Sequence, residues 1–237
     1  MTDMQHRPED LPDVDGLKDS DALKAADGPK EKIRLVARML ISERGVDSVT
    51  TRDIARGAGL NVAAVNYHFG SKDKLAVDVF QQVARRSAQY RLDQLTALEI
   101  EAQARGERVA IREIVDSFVS GYFREDTPAE GGLLANLILK NRLMPTEWTS
   151  NLIAAELDGM ARRYIAAIQA SVPALSHAEV CWFYNFMVGT VLISVSQRDE
   201  QRRIERLSDG ACSISARADM RAHLVDFITR GIAGARC

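Results

Sequence analysis

The chain has 237 residues, of which 46% are hydrophobic and 27% charged, with a formal net charge of −2, a balance that can bury one or two ordinary cores and reads as globular. Cys181, Cys212 and Cys237 are odd in number and form no CxxC pair, which argues against a disulfide framework and a structural zinc site and for reduced thiols. The apolar runs break short of the eighteen or so residues of a membrane helix, and the acidic N-terminus lacks a signal peptide's basic start and apolar core, so the expectation is no membrane and a cytoplasmic location.

Charge divides the chain unevenly. Residues 1–28 hold eight acids against three bases, with Pro8, Pro12 and Gly16 and few large apolar residues. They read as a disordered or loosely attached acidic tail, either a solubilising extension or a competitor with DNA for the basic segment that follows. In residues 29–75 nine bases face five acids. A short cationic segment inside a neutral chain is an electrostatic footprint for phosphate.

From Pro29 onward the texture is helical. Ile33, Val36, Ala37, Leu40 and Ile41 recur at three- and four-residue spacing between Pro29 and Gly45, which predicts a helix over 29–44. Thr50 with Asp53 three residues on is a capping pair for a short helix over 51–57. Gly57 and Gly59 mark a turn, Asn61 caps a third helix over 62–68, and Ser71 caps a long fourth helix starting near Lys72. Further amphipathic patterns follow at 72–100, 108–124, 131–142, 148–171, 177–197 and 217–233, with a polar break over 198–216. The expected fold is all-α, with about nine helices: a three-helix unit over 29–75 and a larger helical domain over 76–237.

Two short helices joined by a glycine-bearing turn make a helix-turn-helix, whose second helix fits the DNA major groove. With Val65 turned inward against Ile54 and Leu60, Ala63, Ala64, Asn66, Tyr67 and His68 are left for the outer surface. Asn66 offers a paired donor and acceptor to adenine, and Arg52 a fork to guanine or, equally, a phosphate contact or a salt bridge. Tyr67, His68 and Lys72 suit phosphates, while Phe69 reads as core.

The stretch TTRDIARGAGLNVAAVNYHFGSKDKL resembles the DNA-binding signature of TetR-type transcriptional regulators over about residues 30–80. The resemblance implies DNA contacts from Thr51, Arg52, Ala63, Ala64, Asn66, Tyr67, His68 and Lys72. It also implies a homodimer, a ligand pocket in the C-terminal domain and repression relieved by ligand. AAVNYHFGSKDKL, RLDQLTALE, the break at Arg142-Leu143-Met144-Pro145, WFYNFMVGTV and IERLSDGACS further resemble the subgroup that includes fatty-acid-responsive repressors, which implies an apolar effector of acyl or aromatic type.

In the C-terminal domain, residues 177–197 carry one stripe of Val180, Tyr184, Met187, Val188, Val191 and Val195 and another of Trp182, Phe186, Gly189 and Ile193. A helix apolar nearly all round is covered on both sides. Paired with Leu224, Val225, Phe227, Ile228 and Ile232 of the last helix, it predicts a homodimer through the last two helices. The expected pocket lies between the long helices, with candidate contacts Phe118, Tyr122, Leu137, Asn141, Trp148, Leu152, Phe183 and Met187, each also readable as ordinary core, and with Arg142 as a possible polar anchor or a solvated surface group.

No GxSxG, HExxH, P-loop or dinucleotide fingerprint occurs, the four histidines are scattered, His177 with Cys181 is two ligands without a third, and Gly131-Gly132 is too common a pattern to support a nucleotide site. No catalytic residue, metal or cofactor is therefore expected. The alternatives left open are a helical small-molecule-binding protein or an enzyme without DNA function, and activation rather than repression.

Overall fold

The computed structural model describes residues 21–196, 199–213 and 216–235. Among them the chain is helical without strands, as eleven helices: α1 (Asp21–Ala25), α2 (Gly28–Arg44), α3 (Thr51–Gly57), α4 (Val62–Phe69), α5 (Lys72–Arg105), α6 (Ile111–Ser120), α7 (Pro128–Leu143), α8 (Glu147–Ser171), α9 (His177–Ser196), α10 (Asp199–Leu207) and α11 (Arg217–Gly234). The residues form two compact units, divided between Val79 and Phe80 within α5.

In the first unit the predicted stripe of α2 is the buried one: Ile33, Val36, Ala37, Leu40 and Ile41 join Val49, Ile54, Ala55, Val65, Phe69 and Leu75 in the core. Phe69 closes it, with the cations of Lys30 and Arg34 each 5.8 Å from its ring centre, and Arg34 also holds Asp78 at 2.6 Å. The acidic segment over 1–28 lies mostly outside the described residues. Its last part corrects the expectation of a loose tail, because α1 packs on α2 and its Leu23 is 5% exposed.

Three predicted caps form. Thr50 Oγ1 accepts from the Asp53 amide at 3.1 Å while Asp53 Oδ2 accepts from the Thr50 amide at 3.0 Å. Asn61 Oδ1 accepts from the Ala64 amide at 2.8 Å, and Ser71 Oγ from the Lys74 amide at 3.2 Å. Each satisfies an amide that a helix start leaves without a partner. The Thr50 side chain, its backbone amide and the Arg56 charge together hold the Asp53 carboxyl below the usual range, against the effect of burial. That stabilisation is full above the unfolded value of about 3.9 and is lost as pH falls through the lower folded value. Thr50→Ala is expected to cost about 0.5–2 kcal/mol in urea unfolding and to weaken this acid sensitivity; an unchanged midpoint would mean the cap is not stabilising.

The second unit packs α7 on α9 and α6 on α11, with α8 against α6, α7 and α9. Phe118 is its aromatic centre, at 5.2 Å from the Tyr164 ring, 5.8 Å from Tyr184 and 6.1 Å from Tyr122. Arg221 grips Asp116 through two bonds of 3.0 and 2.8 Å and Arg85 grips Glu156 through two of 3.0 and 2.8 Å, tying α11 to α6 and α5 to α8.

The 198–216 break contains α10, whose large apolar side chains Ile204 and Leu207 are exposed, so no buried stripe announces it. With α1 this makes eleven helices among the described residues rather than about nine. The α9 segment is long and apolar enough by length and composition to cross a membrane, contrary to the expectation that every apolar run stops short; its Val180, Met187 and Val191 side is packed in the unit instead.

Candidate nucleic-acid interface and effector cavity

The turn between α3 and α4 is built by the backbone. The Ala58 amide bonds Ile54 O at 3.0 Å, the Gly59 amide Arg56 O at 3.1 Å and the Leu60 amide Ala55 O at 2.9 Å. Gly59 sits at φ +67°, in the left-handed region where a side chain would be strained. The tight turn seats α4 on α3, with Val65 buried and Leu60 half-buried.

This fixes the rotation of α4. Ala63, Asn66 and Tyr67, at i, i+3 and i+4, share an outer face, and all three are exposed, Tyr67 at 87%. Ala64 and His68 flank them half-buried, with the Tyr67 and His68 rings edge to face at 5.1 Å. On α3, Arg52 is exposed and Thr51 half-buried. Lys72 is half-buried and its ammonium donates to Val46 O at 3.1 Å, so one of its donors fastens the loop after α2. An aromatic hydroxyl, an amide and a guanidinium beside a small-residue surface match the donor set that reads base edges and phosphates.

In the second unit a cavity of about 160 Å³ opens among α5 to α9, lined by Arg91, Phe118, Tyr122, Leu134, Ile138, Arg142, Leu157, Asp158, Tyr184 and Val188 among others. Arg91 is 1% exposed. Its Nε donates to Phe118 O at 2.9 Å, its Nη1 to Ser87 O at 3.1 Å and to Ser87 Oγ, and its guanidinium lies 4.1 Å from the Tyr122 ring centre and 5.1 Å from that of Phe118. Burial raises the Tyr122 and Tyr184 phenols above their usual range and pushes Tyr164 up to about 12, so all three keep their protons at neutral pH.

A model of bacterial regulatory proteins of the tetR family matches residues 33–79, and a model of the tetracyclin repressor-like C-terminal domain matches residues 116–231. Together they span well over half of the sequence. The chain belongs to the tetR family. The HTH-type transcriptional dual regulator CecR of Shigella flexneri is 34% identical to it over 122 residues, which are 50% of this chain and 54% of the relative. The chain thus matches about half the length of that curated relative. Two solved structures share the fold. The ketosteroid transcriptional regulator KstR2 of Mycobacterium tuberculosis has a TM-score of 0.59 at 15% identity over 86% of this chain and 95% of its own. The fatty acid degradation regulator FadR of Bacillus halodurans has a TM-score of 0.58 at 14% identity over 86% and 97%.

Within this TetR-family chain only part of the predicted cavity set lines the cavity. Phe118 and Tyr122 do, and so does Arg142, which donates to Asn185 at 3.1 Å. Leu137, Leu152 and Met187 are buried core outside its wall, and Phe183 is half-buried beside Phe186. Asn141 is engaged elsewhere, accepting from Thr149 Oγ1 at 2.5 Å and Ser150 Oγ at 3.1 Å and so joining the end of α7 to the start of α8. Trp148 is exposed and leans on Phe80 at 6.4 Å. Sequence reasoning missed Arg91, although Val83, Ala84, Ser87, Ala88, Arg91 and Leu95 fall on one stripe of α5, and an arginine within a buried stripe is the available signal.

The second stripe of α9 lies open in the single chain. Trp182, Phe186 and Ile193 are exposed, as is Phe227 of α11, and Trp182 stacks on Phe186 at 6.0 Å. Leu224, Val225, Ile228 and Ile232, expected at the same face, are instead buried within their own unit. Gly131 and Gly132 are packing positions rather than a phosphate loop: a Cβ at Gly131 would stand 2.2 Å from Tyr122 O, and one at Gly132 3.4 Å from Val195 O. His177 and Cys181 meet at 3.6 Å on one turn of α9, and no cluster of three or more metal-ligating side chains occurs among the described residues.

Proposed function

We propose that the chain is a cytoplasmic, ligand-responsive transcriptional regulator. As a homodimer it binds a near-palindromic operator, acts as a repressor and is released by a small apolar effector. The observation that carries this reading is the outer face of α4, where Ala63, Asn66 and Tyr67 stand exposed beside a turn that locks the helix on α3. Asn66 and Arg52 read bases, Ala63 and Ala64 let the helix approach them, and Thr51, Tyr67, His68 and the remaining donors of Lys72 hold phosphates. Two copies related by a two-fold axis place their recognition helices about 34 Å apart, one DNA turn, which makes the operator near-palindromic.

The exposed row of Trp182, Phe186, Ile193 and Phe227 supports dimerisation through α9 and α11, since an apolar row of this size is covered in a stable oligomer. Whether the bound dimer blocks or aids transcription depends on where the operator lies relative to the promoter, and the related CecR is called a dual regulator. Effector binding in the helical domain changes operator affinity only through its differential affinity for the two DNA-binding states.

Arg52 provides the test of base reading. Arg52→Ala is expected to cost about 1–3 kcal/mol of operator affinity and to relax preference at one position of each half-site. Anisotropy titrations against single-base operator variants check it. A uniform loss across all sequences would reassign Arg52 to phosphate, and no loss at all would remove it from the interface.

A further inference from the structure

We propose that the cavity of the second unit is an anion site in which the Arg91 guanidinium holds the carboxylate of a small, compact apolar acid. This rests on the reading of the cavity as the effector site. A guanidinium stays protonated in proteins, and a buried charge is normally paired. Arg91 is 1% exposed, yet no carboxylate pairs with it among the described residues, and its Nη2 is buried without a hydrogen-bond partner. Its other two nitrogens are fixed by Phe118 O, Ser87 O and Ser87 Oγ, and its plane by the rings of Tyr122 and Phe118. The place is shaped for this group: a Cβ at Gly121 would meet Arg91 Cζ at 2.5 Å.

The charges around the cavity agree in sign. Arg142 is the second cation on the wall, and the one wall carboxylate, Asp158, pairs with Arg162 at 3.5 Å. Size selects the body of the acid. A cavity of about 150 Å³ admits benzene, and this one measures about 160 Å³. A sixteen-carbon chain, at about 30 Å³ per carbon by analogy with the volume share of a water molecule, needs on the order of 500 Å³. The aromatic wall of Phe118, Tyr122 and Tyr184 fits a ring better than a long acyl tail.

Calorimetric titration of the full chain with benzoate, benzamide, sodium chloride and hexadecanoate tests the site. Benzoate is expected to bind about 10–100-fold tighter than benzamide, the difference a charge-assisted hydrogen bond makes. Arg91→Met, which replaces a buried cation by an apolar side chain of similar length, is expected to fold and to lose that preference. Gly121→Ala, which pushes the guanidinium aside while keeping it, is expected to lose it as well and serves if Arg91→Met does not fold.

Equal binding of benzamide overturns the proposal, as does benzoate binding that survives both variants. So does chloride that binds as tightly as benzoate, tighter binding of hexadecanoate, or no binding by any probe. Retention of operator DNA by the ligand-free chain is measured alongside. Intact operator binding without carboxylate preference overturns this site alone. Benzoate binding without operator binding sustains the site and overturns the regulator reading.

Discussion

The double variant Asn66→Ala, Tyr67→Ala is expected to lose operator affinity by roughly one to three orders of magnitude, because a bidentate base contact contributes about 1–3 kcal/mol and a hydroxyl-to-phosphate hydrogen bond adds about 1 kcal/mol. Its thermal midpoint should stay where it is or rise slightly. Both side chains are exposed, Tyr67 at 87%, and alanine is the better helix former at both positions. A side chain that packs loses stability when truncated, whereas one that waits for DNA loses only binding. Anisotropy on the selected operator and a melting curve on the same preparation check it. A fall in the midpoint with operator binding preserved would return Tyr67 and Asn66 to the structure and leave α4 without a task.

Gly131→Ala is the substitution expected to cost most stability. The added methyl would stand 2.2 Å from Tyr122 O and 2.9 Å from Tyr122 C, so backbone rather than a flexible side-chain end must move. The first turn of α7 cannot retreat freely, because α7 is packed on both α8 and α9. Overpacking of this kind costs about 1–3 kcal/mol and occasionally more, which for a chain of this size lowers the melting temperature by roughly 2–12 °C. Gly159→Ala on α8 is the control: nothing lies within 4 Å of its added Cβ, and a glycine replaced within a helix should gain about 0.5–1 kcal/mol. Equal melting temperatures for the two variants would show that the α6–α7 connection yields easily.

Local signals and the tertiary arrangement were legible to different degrees. The caps at Thr50, Asn61 and Ser71, the stripe of α2 and the inward Val65 were all readable, because each depends on residues within one or two turns of one another. They were enough for the all-α architecture and for the exposed residues of α4. The helix starting at Asp199 was hidden because α10 buries no apolar stripe for a periodicity to reveal. In α9 the sequence shows both stripes and points to Phe183 and Met187, whereas Tyr184 and Val188 line the cavity. A helix apolar all round does not fix its own rotation, and one residue turns the chosen face by about 100°. The partners of Asn141 are hidden for a different reason: Thr149 and Ser150 belong to the next helix, and the hydrogen bonds that occupy Asn141 are tertiary. Arg91 was overlooked because arginine usually marks a solvated face.

Sequence selection from random duplexes by the purified chain, followed by titration of the enriched duplex at several salt concentrations, decides whether this protein reads DNA. The expected result is a near-palindromic sequence bound by two chains per duplex, with affinity falling steeply as salt rises. No enrichment, with only weak salt-sensitive binding equal for every duplex, would contradict it.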